Sequence, residues 1–109
     1  MYFAVAKFSF ESSGKPGTDD RKELRSLVEK IRSRFKVSCA IVSQEDDAGT
    51  TAIAVSALGG TEEALDRTLD GIAEFCESAG FGRIESEQTL LDHIDALEEY
   101  LEDDGSESN

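Results

Sequence analysis

Between Leu24 and Val42 an apolar stripe with helical spacing passes straight into an alternating, strand-like segment, with no glycine or proline between them. Leu24, Leu27, Val28, Ile31 and Phe35 recur at intervals of three and four, which places their side chains on one side of a helix. Val37 to Val42 then reads as a strand. A helix that feeds directly into a strand must lie back across a sheet, so the chain is confined to layered arrangements of helices on strands.

The flanking segments extend that pattern. Tyr2, Ala4, Ala6, Phe8 and Phe10 alternate with Phe3, Val5, Lys7 and Ser9, a period of two with the more apolar set at even positions. Gly14, Pro16 and Gly17 then turn the chain, and Thr18 or Asp19 is placed to cap the helix. After Val42 the polar run Ser43 to Gly49 turns the chain into a third strand, Thr50 to Ala57. Gly59 and Gly60 end that strand. Thr61 caps a second helix whose first turn holds Glu62 and Glu63 and whose stripe is Leu65, Leu69, Ile72, Cys76 and Ala79, with Gly80 as its stop. A fourth strand is expected from Arg83 to Glu87. Thr89 with Asp92 resembles a capping box for a third helix marked by Leu90, Ile94, Leu97 and Leu101.

Strand, helix, strand, strand, helix, strand predicts an α+β fold of the ferredoxin-like βαββαβ type: a four-stranded antiparallel sheet with two helices on one face, joined by right-handed crossovers. The expected domain is 1–88, followed by a C-terminal helical extension over 89–102, separable at Gln88, and a solvated acidic tail over 103–109. Two helices cover only one sheet face. Phe3 and Val5 point to the other, so either the extra helix or a second subunit is expected to cover it.

Charge divides the chain unevenly. Residues 1–44 hold nine Lys and Arg against five acids, whereas residues 45–109 hold two against nineteen. The net charge of −13 opposes general adhesion to nucleic acid or anionic lipid, and a salt-adapted proteome would produce the same composition. The N-terminal apolar stretch lacks the basic start and cleavage site of a targeting segment, and no apolar run approaches the length of a membrane span. A soluble, cytoplasmic protein is expected. Cys39 and Cys76, 37 residues apart, match no zinc spacing and read as reduced core thiols, a disulfide remaining open if strand and helix bring them together.

Three segments, RSLVEKIRSRFKVSCAIV at Arg25 to Val42, AIAVSALGG at Ala52 to Gly60 and ALDRTLDGIAEFCESAG at Ala64 to Gly80, give the chain a resemblance to the YlxP-like family, small bacterial proteins classed as a domain of unknown function. The resemblance spans about the first 88 residues and has no diagnostic catalytic motif. It implies a ferredoxin-like fold, no known activity or cofactor and, for some relatives, genes that lie among translation and ribosome-maturation genes. The chain departs from the family in three places. Gly17 to Arg21 replace a more basic run, keeping only the arginine; Asp46, Asp47, Ala48 and Gly49 stand where relatives carry Asp-Leu-Trp-Gln; and Leu90 to Asn109 extends past the common core.

For catalysis the sequence is nearly silent. His93, the only histidine, reads as a surface residue on an acidic helix. The acid pairs Asp46–Asp47 and Glu62–Glu63 solvate a loop and favour a helix start. Gly59 and Gly60 precede a helix but no lysine follows, and Gly80-Phe81-Gly82 lacks the aromatic partners of an RNA-recognition sheet. No Cys-x-x-Cys loop follows the first strand. No enzyme activity, cofactor, metal or small-molecule ligand is therefore expected.

Two surfaces remain. Arg21, Arg25 and Arg32 recur at spacings of four and seven on one helix face, with Lys22 close by and Arg34 and Lys36 at the exit. They are either a solvated face paired with acids such as Glu29 and those of the second helix, or phosphate contacts for structured RNA, ribosomal RNA included. The second surface is apolar: Phe3 and Val5 with Leu90, Ile94, Leu97 and Leu101, an interface for a homodimer or a partner protein.

Overall fold

The even-numbered apolar residues of the N-terminal segment require a partner on one side only, and the structure supplies it with two helices. The computed structural model describes residues 1–10, 19–44, 51–78 and 83–101, without the side chains of 19–21 and 43–44. Its elements are β1 (Tyr2–Phe10), α1 (Asp19–Phe35), β2 (Ser38–Gln44), β3 (Thr51–Gly59), α2 (Glu62–Ser78) and β4 (Ile84–His93). The sheet order is β2-β3-β1-β4, and every pairing is antiparallel. This is the ferredoxin-like arrangement that the order of elements predicts.

The core lies between sheet and helices. Ala4, Ala6, Phe8 and Phe10 of β1 are buried with Leu24, Leu27, Val28 and Ile31 of α1 and Leu65, Leu69, Ile72 and Cys76 of α2. Cys39, Ile53 and Val55 complete it from β2 and β3. The expected helical stripes are thus the buried ones. Ala79 and Gly80, the expected end of α2, lie outside the described residues, as do residues 11–18, the loop over 45–50 and the acidic tail from 102 onward.

The join between α1 and β2 has a backbone explanation. Lys36 adopts φ 57°, the left-handed region, and its N–H donates to the carbonyl of Arg32 at 3.0 Å. That is the αL ending usually given to glycine. A lysine here conceals the stop from any search for breakers.

α2 begins as its sequence predicts. The Ala64 N–H donates to Thr61 Oγ1 at 3.0 Å, and the Leu65 N–H to the Thr61 carbonyl at 3.3 Å. The two glycines before it have different standing. A Cβ on Gly59 would lie 2.9 Å from Leu65 Cγ, whereas one on Gly60 meets nothing within 4 Å. Leu65 is buried and cannot retreat, so Gly59→Ala is expected to destabilise the fold by about 1–3 kcal/mol. Gly60→Ala should be neutral or slightly stabilising. Parallel urea melts of the two variants test this, and equal costs would refute it.

The fourth strand differs from expectation. It runs to His93, so Leu90 to His93 are strand and the predicted helix start, its capping box and the boundary at residue 88 all fall inside β4. The cause is the length of β1. Nine residues of central strand need partners on both sides, and the ladder Val5↔Leu90, Ala4↔Leu91, Tyr2↔His93 supplies them. The Ile94 N–H adds a bond to the Met1 carbonyl at 2.8 Å. Only then does the chain coil, as a 3-10 turn at Ile94–Ala96 continued by helical residues 97–101. His93 correspondingly sits at a strand end, edge-on to the Tyr2 ring at 6.2 Å.

Candidate functional site

Residues directly opposite one another in an antiparallel ladder share a sheet face. The registers Phe3↔Leu58, Phe3↔Asp92, Val5↔Ser56 and Val5↔Leu90 therefore gather Phe3, Val5, Leu58 and Leu90 on the face away from the helices. Val5 is 46% exposed, Leu58 67% and Leu90 47%, and Phe3 is half-buried. Lys7, opposite Gln88 and Ala54, closes the patch at one end, and Asp92 closes it at the other. Farther along the same strands Ser9 and Ala52 are buried.

The C-terminal turn touches only the rim of this face. Tyr100 donates its hydroxyl to Asp92 Oδ2 at 3.3 Å, and the His93 N–H reaches Asp92 Oδ1 at 2.8 Å. Lost hydration and then the Asp92 carboxylate raise the Tyr100 pKa above its ordinary value of 10.0. Ile94, Leu97 and Leu101 remain exposed beside it. Of the expected interface residues, then, Leu90 joins Phe3 and Val5 as a strand neighbour rather than as part of a helix. Leu58, absent from the sequence reading, is the most exposed member. Its signal was present in the odd-even phase of β3 relative to β1, but that phase depends on pairing register, which a single sequence does not print.

The basic helix is divided. Arg32 Nε donates to the Cys39 carbonyl at 2.9 Å, so this arginine leans toward the edge strand β2. Arg25 shares its face by helical spacing and is exposed, as is Lys22; the Arg21 side chain lies outside the described residues. Arg34 turns the other way, its guanidinium carbon 5.3 Å from the centroid of Phe75 on α2 and 6.0 Å from that of Phe35. Phe35 and Phe75 meet edge-on at 5.9 Å, and the Phe35 ring can approach α2 because Gly71 has no Cβ, which would lie 3.1 Å away. Between the helices Ser26, Glu29, Lys30, Ser33, Arg34 and Phe75 line a groove of about 480 Å³. Lys36 is exposed at the helix exit. Among the described residues no ion pair engages Lys22, Arg25, Arg34 or Lys36, so the expected pairing with Glu29 and the acids of α2 is not what the structure presents.

Burial raises the thiol pKa of Cys39 from 9.0 to about 11, against opposing pulls from Arg32 and the Ala40 backbone, and that of Cys76 to about 12, with Cys39 and Glu77 adding to it. Both thiols are free and buried, as core cysteines would be. Among the described residues no group of three or more His, Cys, Asp or Glu is placed to hold a metal ion, and no helix is long and apolar enough to cross a membrane.

Residues 19–89 match the family described as Protein of unknown function (DUF503). No curated protein matches the chain. Among solved structures it is similar to the protein At3g17210 from Arabidopsis thaliana, with 11% identity, TM-score 0.48 and coverage of 84% of this chain and 93% of that one. It is similar also to the de novo designed protein Foldit4, with 11% identity, TM-score 0.46 and coverage of 84% and 92%. A third is a variant of SnoaB, a cofactor-independent oxygenase from Streptomyces nogalater, with 10% identity, TM-score 0.45 and coverage of 85% and 91%.

Proposed function

The chain belongs to the DUF503 family of proteins of unknown function, which matches it over residues 19–89, and from that premise we propose that it works without catalysing a reaction, as a cytoplasmic module that joins a second copy of itself through the open face of its sheet. The observation that carries this reading is the exposed patch Val5, Leu58 and Leu90 beside Phe3. Apolar side chains gathered on one face gain by leaving water together.

The distribution of charge favours a second copy as the occupant. Two sheets packed face to face about a two-fold axis that crosses the strands at Val5 bring Val5 onto its counterpart and Leu90 onto its counterpart. Lys7 of each copy then stands over Phe3 and Asp92 of the other, since Lys7 and Phe3 are equidistant from Val5 along β1. The patch is self-complementary in both apolarity and charge.

Each copy carries a net charge of −13, so association works against long-range repulsion and is expected to strengthen as salt rises from about 0.1 M to about 1 M. Light scattering over a concentration series reads this directly. Leu90→Asp, at an exposed strand position, should weaken the dimer at least ~100-fold by setting like charges in an apolar contact. A monomer at every concentration and salt would sink the reading.

A second reading rests on the unpaired cations Lys22 and Arg25 beside Arg32: contact with the phosphates of structured RNA. The resemblance to YlxP-like proteins, with gene neighbours in translation, supports it. The same salt series separates the two, because RNA affinity falls with salt by a slope of ~0.7–0.9 per phosphate neutralised. Lys22→Ala with Arg25→Ala is the cleaner test, Arg32 being tied to β2.

A further inference from the structure

We propose that the groove between α1 and α2 binds a phosphate ester. Its lining is a side-chain set for that chemistry: Lys30 and Arg34 supply positive charge, Ser26 and Ser33 supply hydroxyls, and Phe75 supplies an apolar wall. Ser26 stands four residues before Lys30, and Ser33 and Arg34 stand three and four after it, so the helix itself gathers them around Lys30.

What distinguishes this flank from an ordinary charged surface is Arg34. Its guanidinium lies over two aromatic rings, at 5.3 Å from Phe75 and 6.0 Å from Phe35, and so loses less freedom on meeting a ligand than a solvated arginine would. A guanidinium held over a ring keeps its N–H donors at its edge, where they pair with two oxygens of a phosphate. Lys30, one turn earlier, adds a point charge, and the hydroxyls can donate to the remaining oxygens. Glu29, also in the lining, offers an acceptor. It disfavours a bare polyanion and fits an ester whose neighbouring part carries a hydroxyl or an amine. The ring pair depends in turn on Gly71, whose missing Cβ admits Phe35.

The groove lies on the helix layer, opposite the apolar sheet face, and does not rest on self-association. Nor does it require RNA, because a phosphate group is common to a free ester and to a nucleic-acid backbone. The full chain, labelled at its arginine side chains and backbone amides, is titrated by NMR with glycerol 3-phosphate, a phosphate ester that carries hydroxyls, and separately with a single-stranded RNA oligonucleotide. Saturable shifts of the Arg34 Nε–H and of the Lys30 and Ser33 amides are expected with the ester. Arg34→Gln should weaken binding at least ten-fold, Arg34→Lys should recover part of it, and Arg83→Gln, at an exposed position beside β4, should leave it unchanged. Competition by the RNA assigns the group to a nucleic-acid backbone, and its absence assigns it to a free ester. Shifts that fail to saturate with either probe, or equal losses in the Arg83 and Arg34 variants, overturn the proposal.

Discussion

Replacing Phe8 with alanine is expected to remove about 3–5 kcal/mol of stability, a large share of the ~5–15 kcal/mol that a domain of this kind has in total. Phe8 is 0% exposed in the C-terminal half of the central strand β1, with Ile53 beside it on β3, itself buried, and the stripes of both helices in the same core. The loss has two parts, the transfer of a phenyl ring to water and the cavity that a rigid sheet cannot close. Val5, three residues away on the same strand, points to the other face and is 46% exposed. Val5→Ala should therefore change stability by no more than about 0.5 kcal/mol when measured at a concentration where the chain is monomeric. Urea melts of the pair measure the phase of β1. A larger cost at Val5 than at Phe8 would mean that the buried and open faces have been exchanged, the consequence of a one-residue slip in register.

Phe8 and Val5 also mark what a single sequence can tell. Alternation along β1 and the three-and-four spacing of Leu24 to Phe35 and Leu65 to Cys76 are local, and the structure buries those same residues, with Tyr2 and Phe35 half-buried against the core. The order of elements then leaves few sheets to choose from. The failure at Leu90 was of another kind. Leu90, Ile94, Leu97 and Leu101 satisfy helical spacing, but Leu90 and Leu91 also satisfy a strand, and the decision came from β1, at the far end of the chain, whose second edge had to be filled. Cutting the chain at Gln88, which the sequence alone recommends as removal of an appendage, would instead delete half of that ladder.

The surfaces were legible as residue sets and illegible as places. Spacing put Arg21, Arg25 and Arg32 together, and Arg32 indeed turns toward β2. The same spacing puts Arg34, two residues on, on the opposite flank, but it could not show that Arg34 meets Phe75 of α2, forty-one positions away. Lys30, Ser26 and Ser33 were invisible for the same reason: nothing in their own neighbourhood distinguishes them from a solvated helix face. Leu58 joined the exposed apolar face only through its pairing with Phe3.

Alkaline solution should unfold the protein through its two cysteines. The thiolate is the charged form, and burial disfavours it in the folded state, raising Cys39 from 9.0 to about 11 and Cys76 to about 12. A group whose folded pKa lies above its unfolded one contributes stability that is complete below the unfolded value and disappears as pH climbs through the folded value. The urea midpoint should thus lose nothing to the thiols up to about pH 9 and then fall, with a combined loss on the order of 6 kcal/mol by about pH 12, Cys39 contributing the smaller part because Arg32 partly offsets its burial. The measurement is a difference between chains, so that only the contribution of the thiol is read. Cys76→Ala should cost about 1 kcal/mol near neutrality, where it leaves a small cavity, yet decline less steeply than the parent above about pH 9, so that the two stability curves converge and cross. Curves that stay parallel to about pH 12 would mean that the Cys76 thiolate forms as easily in the folded protein as in the unfolded chain. Its complete burial in the core would then exert no electrostatic cost.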